Sequence, residues 1–541
     1  MIIPAPVLLA QSPAIVPDGR TQTTVTSNAA GTLTDVRTDT VKGINAYNSF
    51  ERFNVRNGNT TNLHVPDSAK NLINLVSNER SQIDGILNSY KNGQIGGNVF
   101  FLNPHGIVIG QSGVVNVGSL HLQTPTTDYM KQLLDEHGEI SLVHEQMLFN
   151  GNVPISSSGL ISVKGKINAV EEIQLSAGDV ELERTANLRA GRQVQVEFGS
   201  IVNTQEIQAG NELVVSPEGK ISIVAANGVT VAGQVSTDAT SGEKAGNIEI
   251  KSGNDIHVNA GANISARGVG ANSDGGEVVI FADHNADLQD GAIVDVSAEN
   301  GKGGGLEFSA ADTVSIEGNG LRSSYGGTVL IDPENIRWEG SGDDVFTNGA
   351  DFKLIADSIV LNNVYVSTRQ VAGTGRDAHL NGESTGNSGN IFFDTGTSFV
   401  WDKGTIELNN SHILSFATGD FDAGTIGFFA YALEGQQINA YPTMTWSNTV
   451  IDAHAENGQA GDIVVSAISR EMTFDTVTFQ NDANARNRDG NLLIGDYSRG
   501  IADPFADHLF VFLNRTHTLM KILQWQSPRL TSSMQLLCRP P

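Results

Sequence analysis

Apolar and polar residues alternate along most of this chain in short runs, separated by glycine, asparagine and serine. Between about residues 155 and 330 the alternation also repeats. Gly246-Asn247-Ile248-Glu249-Ile250 aligns with Gly276-Glu277-Val278-Val279-Ile280 at an offset of 30. Ala262-Asn263-Ile264-Ser265-Ala266 meets Ala292-Ile293-Val294-Asp295-Val296 at the same offset. A third start, Gly304-Gly305-Leu306-Glu307-Phe308, follows 28 residues after Gly276, and echoes recur at Gly389 and Gly461. A two-residue period puts one face of each strand inward. Units this short cannot bury that face alone, so neighbours must stack and share one core. The pattern predicts an all-β chain folded as a parallel β-helix, a solenoid. An array of β-sandwiches would also alternate, but with a period of ~100 residues.

The first 150 residues have a different texture, in which apolar runs alternate with turns. Val99-Phe100-Phe101-Leu102 and Ile107-Val108-Ile109 flank Asn103-Pro104-His105-Gly106. Pro104 presets φ for the second turn position, Asn103 can bond the backbone ahead of it, and Gly106 supplies a positive φ. Two stretches carry helical spacing. In residues 67–77, Leu72, Ile73, Leu75 and Val76 recur at near-helical intervals. In residues 126–138, Met130, Leu133 and Leu134 share a face, Thr126 or Thr127 can cap, and Gly138 is placed to close. A few short helices are therefore expected beside the strands.

Composition supports this reading and removes alternatives. Charged residues are 17% of the chain, aromatics 6%, and glycine numbers 59 of 541. That mixture suits short strands and tight turns rather than helices, and recurring apolar residues exclude disorder. The net charge is −27 with no basic stripe, which argues against a nucleic-acid partner. Cys538 is the single cysteine, so no internal disulfide can form. No run approaches the ~18 apolar residues of a membrane-spanning helix. Residues 1–20 read as the remnant of a signal peptide. Residues 508–541 carry Arg515, Lys521, Arg529 and Arg539 but no acidic residue, and read as an atypical, non-native or frame-shifted tail.

No stretch presents a catalytic or metal centre, and no cofactor is expected. Asp343-Asp344 and Asp135-Glu136 are the best carboxylate pairs, but neighbours along a strand point to opposite faces and cannot flank one bond. His144-Glu145 begins a zinc-binding His-Glu-x-x-His without its second histidine. The glycines from Gly268 to Gly276 resemble a phosphate loop only in content; a loop between solenoid turns is the simpler assignment.

Taken together, the stretch from about residue 40 to 125 resembles the haemagglutination-activity, or two-partner-secretion, domain of filamentous haemagglutinin-like exoproteins. The resemblance is carried by residues 45–55, 71–76 and 81–87, and above all by the run from Gly96 to Thr124. The hallmark Asn-Pro-Asn-Gly-Ile appears as Asn103-Pro104-His105-Gly106-Ile107, with His in third place. The companion Asn-Pro-Asn-Leu is not matched; Asn62-Leu63 is the nearest candidate. Gly326 to Trp338 looks like a junction found in such proteins, so the similarity covers roughly the first 340 residues.

The resemblance implies a right-handed β-helix with an N-terminal cap, recognised in the periplasm by an outer-membrane transporter. It implies a secreted or surface-exposed adhesin of a Gram-negative bacterium, not an enzyme; a β-helical polysaccharide hydrolase or lyase is the competing assignment. The implied organisation has the secretion-domain core at 21–150, with an outer limit near 250. β-Helix repeats follow at 151–340 and again at 341–507, before the tail.

Overall fold

The structure, a computed structural model, describes residues 14–191, 219–240, 242–317, 320–339, 344–373, 375–395, 404–430, 443–467, 471–484, 488–495 and 517–519. Two compact units are present, one running to Arg189 and the other containing the residues from Asn227 onward. Each is a parallel β-helix.

In the first unit, one turn consists of the strands Asn71–Val76, Ser81–Ile83 and Ile86–Lys91. The next consists of Asn98–Leu102, Ile107–Ile109 and the start of Val114–Gln123. They stack in parallel with Leu72 on Val99, Ile83 on Ile109 and Leu87 on Val115. The N-terminal end is closed by antiparallel pieces. Thr23–Ser27 pairs with Leu33–Thr38, and both Ile15–Pro17 and Val41–Lys42 pair with Asn45–Phe53. This is the cap that the resemblance implied.

One expected helix is a strand. Residues 71–76 are extended and all buried. Leu72 faces the solenoid core, while Ile73 and Leu75 face outward beneath two helices, α1 (Thr127–Leu133) and α2 (Leu142–Phe149). A strand covered on both sides is apolar at consecutive positions, so its two-residue alternation vanishes and helical spacing is mimicked. The other expected helix, α1, forms as read: Thr126 Oγ1 accepts from Tyr129 N at 3.3 Å. Gly138 does not end it, because the helix stops at Leu134. Gly138, with φ +81°, closes the following turn by donating its N–H to Asp135 O at 3.2 Å.

In the second unit, the register follows the sequence repeat residue for residue. Ile248 stacks on Val278 and Ile264 on Val294, both at the offset of 30, and Val278 stacks on Leu306 at 28. Ile391 and Ile463, in the later echoes, both pair with Ile426. The glycine that opens each repeat has a steric cause. A Cβ on Gly276 would lie 2.0 Å from Gly246 O, and one on Gly304 would lie 2.0 Å from Gly276 O. Successive turns meet there backbone to backbone. Deeper in the unit the inward column becomes aromatic, with Phe393 stacked on Phe428 at 4.9 Å and Trp446 packed beside it.

A second corner recurs at Asn363, Asn410, Asn448 and Thr476, all with φ between 46° and 59°. Asparagine tolerates this left-handed conformation, but a β-branched residue does not. Thr476→Asn should therefore raise stability by about 0.5–1 kcal/mol. Denaturant unfolding of the variant and the parent checks it; an unchanged or lowered midpoint would count against the corner's strain.

Candidate functional site

The turn at residues 103–106 is a corner between the strands Asn98–Leu102 and Ile107–Ile109 of the first unit. Asn103 is fully buried. Its Oδ1 accepts from His105 N at 2.9 Å, and Gly106 N donates to Asn103 O at 3.2 Å, closing the turn. Its Nδ2 reaches the turn before, donating to Glu79 O at 2.8 Å and to Ser81 Oγ at 2.9 Å. Its backbone N–H donates to Gln123 O at 3.0 Å in the turn after. One side chain thus serves two layers while its backbone holds a third. His105 is exposed, with Nε2 2.9 Å from Ser77 O. Gly106 has φ +103°, and a Cβ there would lie 2.8 Å from Leu160 O.

Gln123 and Leu160 mark where a helical excursion leaves the solenoid and returns. At the corner that residues 103–106 turn tightly, the next layer runs out through residues 124–159, including α1 and α2. The Asn103 corner is the floor of that excursion. The excursion is fastened by polar contacts as well as apolar ones. Glu145 accepts from the Tyr47 hydroxyl and, at 2.9 Å, from Asn45 Nδ2. Tyr129 OH donates to His144 O at 2.7 Å. Burial, with Glu145 beside it, pushes the Tyr47 hydroxyl pKa upward, and burial does the same to Tyr129. Both stay protonated donors.

The outer side of α2 exposes apolar side chains around Gln146. Leu142 is 59% exposed and Val143 65%, with Phe149 also exposed. Ile44 and Val41, exposed in the neighbouring hairpin, lie close by, since Lys42 Nζ donates to Ile140 O at 3.0 Å. Seven large apolar side chains are exposed among the described residues, and three of them lie on α2. Apolar side chains exposed side by side are the kind of surface that protein contacts use. The sequence reading missed it because α2 shows apolar residues around its whole circumference.

Asn62 and Leu63 sit elsewhere, on the strand Thr60–His64. Leu63 is a core residue. Asn62 belongs to a ladder of side-chain amides running through the layers. Asn62 donates to Asp35 at 3.2 Å, Asn88 to Asn62 at 3.1 Å, Asn116 to Asn88 at 2.9 Å and Asn168 to Asn116 at 3.0 Å. A second ladder joins Asn98, Asn71 and Asn45 before ending on Glu145. Each amide offers a donor and an acceptor, so only an in-register stack satisfies the buried members. The signal was present in the sequence as acids and amides at offsets of 27, 26, 28 and 52.

The carboxylate pairs have other duties. Asp343 lies outside the described residues, and Asp344 is held by Arg376 with contacts of 2.6 and 2.9 Å. Asp135 accepts from Glu139 N at 2.8 Å and His137 N at 2.9 Å. Those backbone donors hold its pKa below the ordinary carboxylate value. His144, from the incomplete zinc motif, lies 2.8 Å from Ser141 Oγ through Nδ1.

Comparison with known proteins bears on residues 14–269, which match the TPS secretion domain family. Among solved structures, the crystal structure of the HMW1 secretion domain from Haemophilus influenzae is similar. The identity is 16% and the TM-score 0.48, over 74% of this chain and 96% of that one. No curated protein matches the chain.

Replacing Asn103 by Ala strands the buried partners of its side chain and should cost the first unit about 2–4 kcal/mol. Gly106→Ala should cost at least as much, through its φ and Leu160 O, whereas His105→Asn should change stability by under about 0.5 kcal/mol. Thermal unfolding of the three variants tests the ordering; a benign Asn103→Ala would show the corner to be dispensable.

Proposed function

We propose that this chain, which belongs to the two-partner-secretion exoproteins of the filamentous haemagglutinin type, is carried across the Gram-negative outer membrane by a partner transporter. Its N-terminal domain is the export signal, and the remaining β-helix serves outside the cell as an adhesin. The match of residues 14–269 to the secretion domain carries this reading. The motif at Asn103-Pro104-His105-Gly106-Ile107 acts within it by fixing the corner beneath the α1–α2 excursion. The transporter's periplasmic domain is then the occupant of the exposed side of α2, which carries Leu142, Val143 and Phe149. Asn62 and Leu63 contribute to register and core rather than to recognition.

The competing assignment, a polysaccharide hydrolase or lyase, has less support. Asp344 is engaged with a guanidinium, and Asp135 is tied into its own turn. Both are engaged in structural contacts, whereas an acid and a base acting across a glycosidic bond must be free to reach it.

Full-length chain should appear in the medium only when the candidate transporter is co-expressed, and equal release without it overturns the reading. Val143→Asp, on the solvent side of α2, should cut transporter-dependent release at least tenfold while changing the unfolding free energy by less than about 0.5 kcal/mol. Normal release of that variant would remove α2 from the recognition surface and leave the export assignment standing.

A further inference from the structure

In the second unit, the connection from the strand Tyr365–Ser367 to the strand Ile391–Thr395 occupies 368–390, where the next two layers need only 415–425 and 453–462. The extra chain includes a short helix, α3 (Arg376–Asn381). Apolar packing does little to hold it: along 376–384 the buried residues are His379 and Ser384. Polar contacts fasten it instead. Arg369 is fully buried and donates to His379 O, to Gly382 O at 2.7 Å and to Phe416 O at 3.2 Å. Its guanidinium lies 3.6 Å over the Phe416 ring. His379, 2% exposed, stacks on Phe346 at 4.3 Å and places Nδ1 3.0 Å from Ser367 Oγ. Arg376 grips Asp344, and Ser384 and Thr418 exchange bonds of 2.7 and 2.9 Å.

We propose that residues 376–384 are an acid-released clasp, held closed by a neutral His379 packed beside the buried Arg369 cation. Closing the clasp places an imidazole in a buried pocket next to an existing positive charge. Of the other ionisable groups around it, Asp452 acts on the Arg369 charge, but no acid offsets the effect of burial and Arg369 on His379 itself. On the clasp, Arg376 is cationic, while Asp377 and Glu383 face solvent. On the sheet side, Asp344 is occupied by Arg376. In the following layers His412 is itself half-buried, and Asp452 pairs with His454 at 2.6 Å. Burial first, and Arg369 second, lower the His379 pKa from 6.5 to about 4.

The direction of the effect follows. A group whose folded pKa is depressed in this way favours the closed form above its free value, and that preference weakens as pH falls from 6.5 toward 4. Acid acts by trapping the open clasp, whose freed imidazole takes the proton. With those two values, the opening equilibrium should rise roughly 50-fold between pH 7 and pH 4.5. Opening would bare the Phe346 and Phe416 rings and the Arg369 guanidinium, a cationic aromatic face on an otherwise acidic chain.

Hydrogen exchange of the full chain, corrected for intrinsic rates at pH 7.0 and 4.5, tests the clasp. Amides within 376–384 should lose at least tenfold protection at the lower pH, while the strand Thr405–Asn409 keeps its own. His379→Phe, which can stack on Phe346 without titrating, should keep the clasp protected at both values. If that variant misfolds, His379→Gln makes the same comparison. Equal protection of the parent at both pH values overturns the proposal. So does parallel opening of Thr405–Asn409, or a non-titrating variant that opens with acid as readily as the parent.

Discussion

A parallel β-helix depends on one constraint: every turn must lie on its neighbour at a single spacing, close enough for backbone hydrogen bonds at every strand. Corners are where this is hardest, because there the chain bends while remaining stacked. Two devices meet the constraint here. Where backbones approach closest, a column of glycines leaves room for the carbonyl beneath, as at Gly246, Gly276 and Gly304. Where the chain must swing into positive φ, asparagine takes the corner at Asn363, Asn410 and Asn448. Side-chain amides add a third check in the first unit, since a layer shifted by one residue would leave Asn88 and Asn116 buried without partners.

This is why so much of the second unit was legible in the sequence. Its close contacts are between equivalent positions, so the same residue types recur at the offset of the turn, and alignment of the repeats returns the strand register. The first unit is less legible because its layers are not equivalent. Residues 71–76 carry core on one face and two helices on the other, and that doubling erased the alternation. The partners that cover Ile73 and Leu75 lie more than fifty residues away in sequence, in α1 and α2. No local window contains that fact. The amide ladders were visible as spacings, but asparagine is common enough in this chain that only contact geometry separates ladder members from turn formers.

The candidate site shows the same division. Residues 103–106 read as a well-formed turn, and they are one: Asn103 and Gly106 play the backbone parts assigned to them. What sequence could not supply was the identity of the neighbours. Asn103 is buried because the layers on both sides use it, and Gly106 is glycine also because Leu160 O lies against it. The residue choice at this turn is therefore explained by what the turn carries, namely the departure and return of a helical excursion. The third motif position points to solvent, which accounts for histidine standing there in place of asparagine.

Both excursions, α1–α2 in one unit and α3 in the other, leave from corners. At a corner the ladder of strand hydrogen bonds is already interrupted, so an insertion adds loop entropy without breaking a pairing, and that cost grows only slowly with length. The two differ in what returns them to the solenoid. α1 and α2 bring Tyr129, Met130, Leu133 and Leu148 onto an apolar outer face, and that packing, unlike the Glu145 contacts beside it, does not titrate. Residues 376–384 bring a single imidazole and a set of carbonyls to a buried arginine. Hydrophobic fastening suits a permanent feature that presents a fixed surface. Fastening through a desolvated cation and a titratable ring is conditional on the surroundings, and it allows one layer to respond to pH while the stacked turns above and below keep their register.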